Sequence, residues 1–169
     1  MGVDATSFLS TAAIGLCATL FMDILALILK PAFGPPSAGY CLVGRWLCHM
    51  PGGTVRHANI VSAAPKRFEC VIGWSAHYAL GALYAFAFVA IVSREWLMQP
   101  MVLPAILFGI ASILVPFLLM QPSFGLGIAA SKAPAPMQAR MKSLVAHTAF
   151  GVGLYLSAVP ISYVLHTHF

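Results

Sequence analysis

Four apolar runs constrain this chain more than any motif in it. They extend from about Ser7 to Leu29, Cys70 to Val92, Met101 to Met120 and Leu144 to Leu165. Each is long enough to cross the hydrocarbon core as a helix, which takes about 20 residues. Backbone inside lipid must satisfy its own hydrogen bonds, so a spanning run is helical or part of a closed barrel. The runs are apolar on every face and do not alternate, which excludes a barrel. Charged residues make up 8% of the chain, against roughly 25% in a soluble domain. The expectation is an all-α integral membrane protein, with residues 1–169 forming one membrane domain of four transmembrane helices.

The charges then orient it. Lys30, Arg45, Arg56, Lys66 and Arg67 lie between the first two runs, and Lys132, Arg140 and Lys142 between the last two. Arg94 stands alone on the other side. This bias places loop 30–69 and the third loop in the cytoplasm, with the N- and C-termini outside. It also accounts for the net charge of +5 without nucleic acid as a partner. Trp96, in the short outer loop, reads as an interfacial anchor. Within loop 30–69, Tyr40, Leu42, Val43, Trp46, Leu47 and Met50 surround Arg45. That pattern predicts a short amphipathic segment on the inner membrane surface or against the bundle, ended by Pro51-Gly52-Gly53. Cys17, Cys41, Cys48 and Cys70 show no metal-ligand spacing and read as small apolar side chains.

The order of features is stated twice. The first run leaves through Pro31-Ala32-Phe33-Gly34 and the third through Pro122-Ser123-Phe124-Gly125. The second carries Ala76-His77-Tyr78-Ala79-Leu80-Gly81 and the fourth Ala146-His147-Thr148-Ala149-Phe150-Gly151. Two pseudo-repeated parallel hairpins, about 7–92 and 101–165, would follow, related by an axis along the membrane normal.

An ionisable residue inside a bilayer marks a functional site by default. Measured from the cytoplasmic boundary at ~1.5 Å per residue, Asp23 lies about 10 Å deep, His77 about 12 Å and His147 about 7–8 Å. Gln121 and Met120 close the third run at the same end. Asp23, His77, Gln121 and His147 thus read as one polar layer. Gly73, Gly81 and Gly151, each one helical turn from a histidine, permit close helix packing. His77 and His147 could ligate haem, and Asp23, His77, His147 and Met120 could hold a transition metal. No nucleophile elbow, phosphate loop, HExxH or catalytic cysteine pair occurs in the chain, so the reading leans away from an enzyme.

Gly44-Arg45-Trp46, Gly73-Trp74 with His77-Tyr78, Met120-Gln121-Pro122 with Gly125 and Gly127, and Ser143-Leu144 with His147, Phe150-Gly151 and Gly153-Leu154-Tyr155 give the chain a further likeness. Together they resemble an uncharacterised family of small four-span bacterial inner-membrane proteins, a domain of unknown function. The resemblance implies a multi-pass protein of the bacterial cytoplasmic membrane and transfers no catalytic residue.

The leading functional expectation is transport or permeation of protons, ions or a small solute through the Asp/His layer. Four helices leave little room for a pathway in one copy, so a homo-oligomer or membrane-complex subunit is expected. The alternatives are a haem- or metal-binding membrane subunit, and a membrane scaffold or stress protein using Arg45 and Trp46 as loop contacts. The topology is directly testable. A C-terminal alkaline phosphatase fusion, active only outside the cytoplasm, is expected to be active. An inactive fusion with a fluorescent C-terminal cytoplasmic reporter would reverse the orientation.

Overall fold

The computed structural model describes residues 5–33 and 39–168, and the side chains of all of these but 32, 33, 167 and 168. Among them the chain is helical, without strands: α1 (Ala5–Phe33), α2 (Tyr40–His49), α3 (Glu69–Val92), α4 (Glu95–Met98), α5 (Val102–Ala111), α6 (Gln121–Ser123) and α7 (Pro136–His168). Four stretches are long and apolar enough to cross a membrane: Ala5–Pro31, Glu69–Val92, Val102–Ser123 and Pro136–His166. Their outward faces carry Leu9, Leu27, Ile28, Val71, Leu83, Ile91 and Leu103, all exposed. Apolar surface of that extent is unsustainable in water and is solvated in lipid. The chain is a multi-pass membrane protein.

Two boundaries depart from the apolar runs, each for a local reason. The fourth helix starts at Pro136, well before Leu144. Proline is preset for the first helical position, and Met-Gln-Ala-Arg-Met-Lys are strong helix formers whatever their polarity. The third span is not one regular helix. It breaks after Ala111 and resumes as a π-helical turn over Pro116–Met120 before α6. Pro116 and Pro122 lack the N–H that a regular ladder requires, and a proline ring collides with the carbonyl four residues earlier. Pro31 behaves differently from Pro122. It lies inside α1, which continues to Phe33, whereas Pro122 precedes a turn in which Gly125 takes φ +85°. Gly34, the counterpart of Gly125, lies outside the described residues.

The chain divides into two compact units: residues 1–28, 78–112 and 146–169, and residues 29–77 with 113–145. In the first, segments of α1, α3, α5 and α7 pack around Ile14, Ala18, Ala85, Phe88, Ala105, Phe150 and Leu154. Trp96 belongs to this core and is 2% exposed, edge-on to Phe88, with its indole N–H donating to the Met101 carbonyl at 3.1 Å. The expected interfacial anchor is therefore a buried core residue: a neighbouring ring and a backbone acceptor satisfy both ends of its amphipathic ring.

In the second unit, loop 30–69 is built on a joint between α2 and the first turns of α3. An added Cβ at Gly44 would overlap the Glu69 carbonyl oxygen, and one at Gly73 the Tyr40 carbonyl oxygen. The two backbones touch, as small residues allow. One position along, Cys41 and Cys70 form a disulfide, with Cα atoms 3.9 Å apart. This corrects the reading of both as unpaired packing side chains: glycine contact between helices distant in sequence brings the thiols together. One residue past Gly44, Arg45 pairs in a fork with Glu69, Nε to Oε2 at 2.9 Å and Nη2 to Oε1 at 2.7 Å. Its Nη1 also donates to the Val61 and Ala63 carbonyls at 3.0 and 3.2 Å. Glu69 in turn accepts from the Lys66 backbone N–H at 2.8 Å. Trp46 is 8% exposed against Ile60 and Phe124, its indole N–H donating to Val55 at 2.8 Å. The amphipathic segment is thus a helix held on α3, and the Arg45 and Trp46 side chains are engaged within the loop.

Two outcomes follow from this joint. Gly44→Leu is expected to displace α2, costing about 3 kcal/mol or more as overpacking against backbone, and to open residues 39–68 to limited proteolysis. Cys41→Ser with Cys70→Ser is expected to leave that segment more protected than Gly44→Leu does. Arg45→Met strands a carboxylate that is 14% exposed and is expected to cost about 3 kcal/mol in thermal unfolding. Adding Glu69→Gln is expected to recover part of that loss, and no recovery would contradict the pairing.

Candidate functional site

Close backbone contacts set the register of the first unit. A Cβ on Gly15 would lie 2.7 Å from the Ala82 Cα, one on Gly81 would overlap the Thr19 hydroxyl, and one on Gly153 would lie 2.9 Å from the Ala18 Cα. Ala18, Thr19, Gly81 and Gly153 therefore mark one level across α1, α3 and α7. On α5, Gly109 faces Gly151 and the His147 carbonyl oxygen, each 2.6 Å from an added Cβ. Gly81 and Gly151, at equivalent places in the two Ala-His motifs, are both points where another backbone passes.

From that level toward the loop-rich ends of the helices, Asp23 lies four residues past Thr19, Tyr78 three before Gly81 and His147 six before Gly153. At ~1.5 Å per residue these are displacements of about 6, 4.5 and 9 Å in one direction. The side chains pair. Tyr78 donates its hydroxyl to the Asp23 carboxylate. Ser112, buried at the end of α5, lies 2.7 Å from His147 Nδ1 and 2.6 Å from the Gly109 carbonyl oxygen.

The Ser112 contacts fix a proton. A hydroxyl has a single hydrogen, and a carbonyl can only accept. The Ser112 O–H is therefore spent on Gly109, and its Oγ accepts from His147 Nδ1–H. A neutral ring held in this way carries its basic lone pair on Nε2. The first unit thus contains an acid bonded to a phenol and an imidazole of defined tautomer, both in apolar surroundings where an exchangeable proton has few alternative sites.

The four residues of the expected polar layer do not share one unit. Asp23 and His147 belong to the first, His77 and Gln121 to the second. His77 stacks on Tyr40, with ring centroids 3.9 Å apart and planes 22° from parallel, and Trp74 stands edge-on at 6.0 Å. Gln121 is buried, and its Oε1 has no hydrogen-bond partner among the described residues. Met120 packs against the cluster of Trp46, Ile60 and Phe124. Among the described residues no three His, Cys, Asp or Glu side chains gather as a metal-binding group. Gly73 faces Tyr40 and Gly44, within the α2–α3 joint.

Sequence reasoning missed Tyr78 and Ser112, the partners that give Asp23 and His147 their chemistry. Tyr78 stands next to His77 in the motif and was available as a signal. Ser112 was not, because an isolated serine in an apolar run more often bonds its own helix backbone. Thr11, Thr19 and Ser162 do so here, each donating to a carbonyl of its own helix at 2.8 Å.

No curated protein and no solved structure matches the chain. Residues 12–161, nearly its whole length, match a family described as a protein of unknown function, DUF2938. That match covers both histidine motifs, the α2–α3 joint and the Asp23–Tyr78 and Ser112–His147 pairs, and the chain belongs to the DUF2938 family.

Proposed function

We propose that this membrane protein moves protons, or a small solute coupled to them, through the layer formed by Asp23, Tyr78, Ser112 and His147. The observation that carries the reading is the Ser112–His147 bond, which leaves a basic nitrogen on a ring inside an apolar bundle. Relays of this kind use Asp and His side chains at membrane depth. The protein would act as a homo-oligomer or as a subunit of a membrane complex, since four spans enclose little space. The charge bias supports an arrangement with both termini outside, and the compartment implied is a bacterial inner membrane. The matched contacts of Gly81 and Gly151 support two pseudo-repeated hairpins.

Proton flux into proteoliposomes, read with an entrapped pH dye under an imposed potential, tests the proposal. Asp23→Asn and His147→Ala are each expected to lower flux by about tenfold or more, the scale of losing a positioned proton carrier. Ser112→Ala, which frees the ring to change tautomer, is expected to lower it less. Flux equal to that of empty liposomes, or unchanged in Asp23→Asn and His147→Ala, would overturn it.

A further inference from the structure

The second unit carries eight of the nine Lys and Arg residues and, apart from Glu69, no acid. Glu69 is committed to Arg45. An open pocket of about 740 Å³ lies in this unit, lined by Arg56, His57, Gly125, Ile128, Ser131 and Lys132 among others, with no acidic residue among those described.

The pocket wall is built rather than incidental. The His57 backbone N–H donates to the Ser123 carbonyl at 2.9 Å and Ile60 N–H to Phe124 at 3.1 Å, so segment 57–60 is laced to the turn after α6. Gly125, at φ +85°, lies where a Cβ would overlap the Ala58 carbonyl oxygen. On the other side Arg140 Nε donates to the Ala129 carbonyl at 2.8 Å and Lys132 N–H to Leu126 at 2.8 Å. These bonds hold Ala129 and Ala130 at φ +49° and +56°, a conformation that costs an L-residue roughly 1–2 kcal/mol. The turn leads directly into Ser131 and Lys132, which line the pocket with Arg56.

His57 is the titratable ring in the pocket wall. Its Nε2 is buried and has no hydrogen-bond partner among the described residues. Burial first, and then the neighbouring His49 ring, hold its pKa below the ordinary histidine value. Arg56 and Lys132 line the same pocket and add to its positive charge. A bound anion would offset this positive charge.

We infer that this pocket binds a phosphate group, held by Arg56 and Lys132 with Ser131 as a further donor. Its volume exceeds that of a bare phosphate and leaves room for a glycerophosphate. Ile128, 62% exposed at the pocket, offers apolar contact to what the phosphate is attached to. The phosphate could come from an anionic phospholipid of the surrounding leaflet or from a soluble phosphate ester. Basic pockets beside membrane spans are suited to the first.

The test uses the full chain in nanodiscs. Native mass spectrometry compares retained phosphatidylglycerol with phosphatidylcholine, and calorimetry follows glycerol phosphate and inorganic phosphate in phosphatidylcholine nanodiscs. Preferential retention of phosphatidylglycerol, weakened about fivefold by Arg56→Gln or Lys132→Gln and about thirtyfold by both, supports the site with lipid as its source. Saturable heat from a soluble phosphate, weakened in the same variants, supports it with a soluble source. Arg67→Gln, an exposed charge removed outside the pocket, is expected to leave either signal within twofold. Neither signal, or an equal loss in Arg67→Gln and Arg56→Gln, would overturn the inference. Retained thermal unfolding in the variants guards against misfolding.

Discussion

A hydrocarbon surround offers no water to an unpaired polar group, and most of this structure follows from that requirement. The backbone answers it by forming helices. Many side chains answer it by pairing at short range: Thr11, Thr19 and Ser162 with their own helix carbonyls, Trp96 with Met101, Tyr78 with Asp23, and Ser112 with both Gly109 and His147; Tyr84 Oη and Gln121 Oε1 have no partner among the described residues. Each unsatisfied group in such surroundings would cost several kcal/mol. Glycines make the pairing geometry available. Where Gly81, Gly109, Gly151 and Gly153 let backbones touch, short side chains such as serine reach a neighbouring helix.

The α2–α3 joint solves a related problem at the membrane edge. Gly44 and Gly73 bring two backbones together, and neighbouring residues add bonds of other kinds: Cys41 to Cys70, Arg45 to Glu69 and Tyr40 over His77. The charge bias would put this joint in the cytoplasm, where glutathione keeps most thiols reduced. The glycine contact, the forked ion pair and the ring stack do not depend on the disulfide, so the joint has the means to persist in either redox state.

The four spans were legible because apolar length needs no tertiary information, and the α2 segment because its apolar residues recur around Arg45. Two limits on that legibility are instructive. The repeated Ala-His motif encodes a helix contact at Gly81 and Gly151, one turn after each histidine. It does not encode the histidines' partners, and so His77 and His147 have different surroundings despite matching sequences. The Cys41–Cys70 pair depended on a contact 29 residues apart in sequence. The parallel spacing of Tyr40-Cys41-Gly44-Arg45 and Glu69-Cys70-Gly73-Trp74 becomes meaningful once the helices are known to touch. Trp96 misled because an amphipathic ring at a span end suits an interface or a core equally, and only its neighbours decide.

The account turns on satisfied polar pairs inside the bundle, and Ser112–His147 is the most exposed to disproof. Nitrogen-15 NMR of side-chain-labelled histidine in lipid nanodiscs, with His147 assigned by its loss in His147→Gln, reads the tautomer directly. The account predicts a neutral His147 with its proton on Nδ1, and a change in that signal in Ser112→Ala. A His147 proton on Nε2, or a signal indifferent to Ser112→Ala, would contradict it.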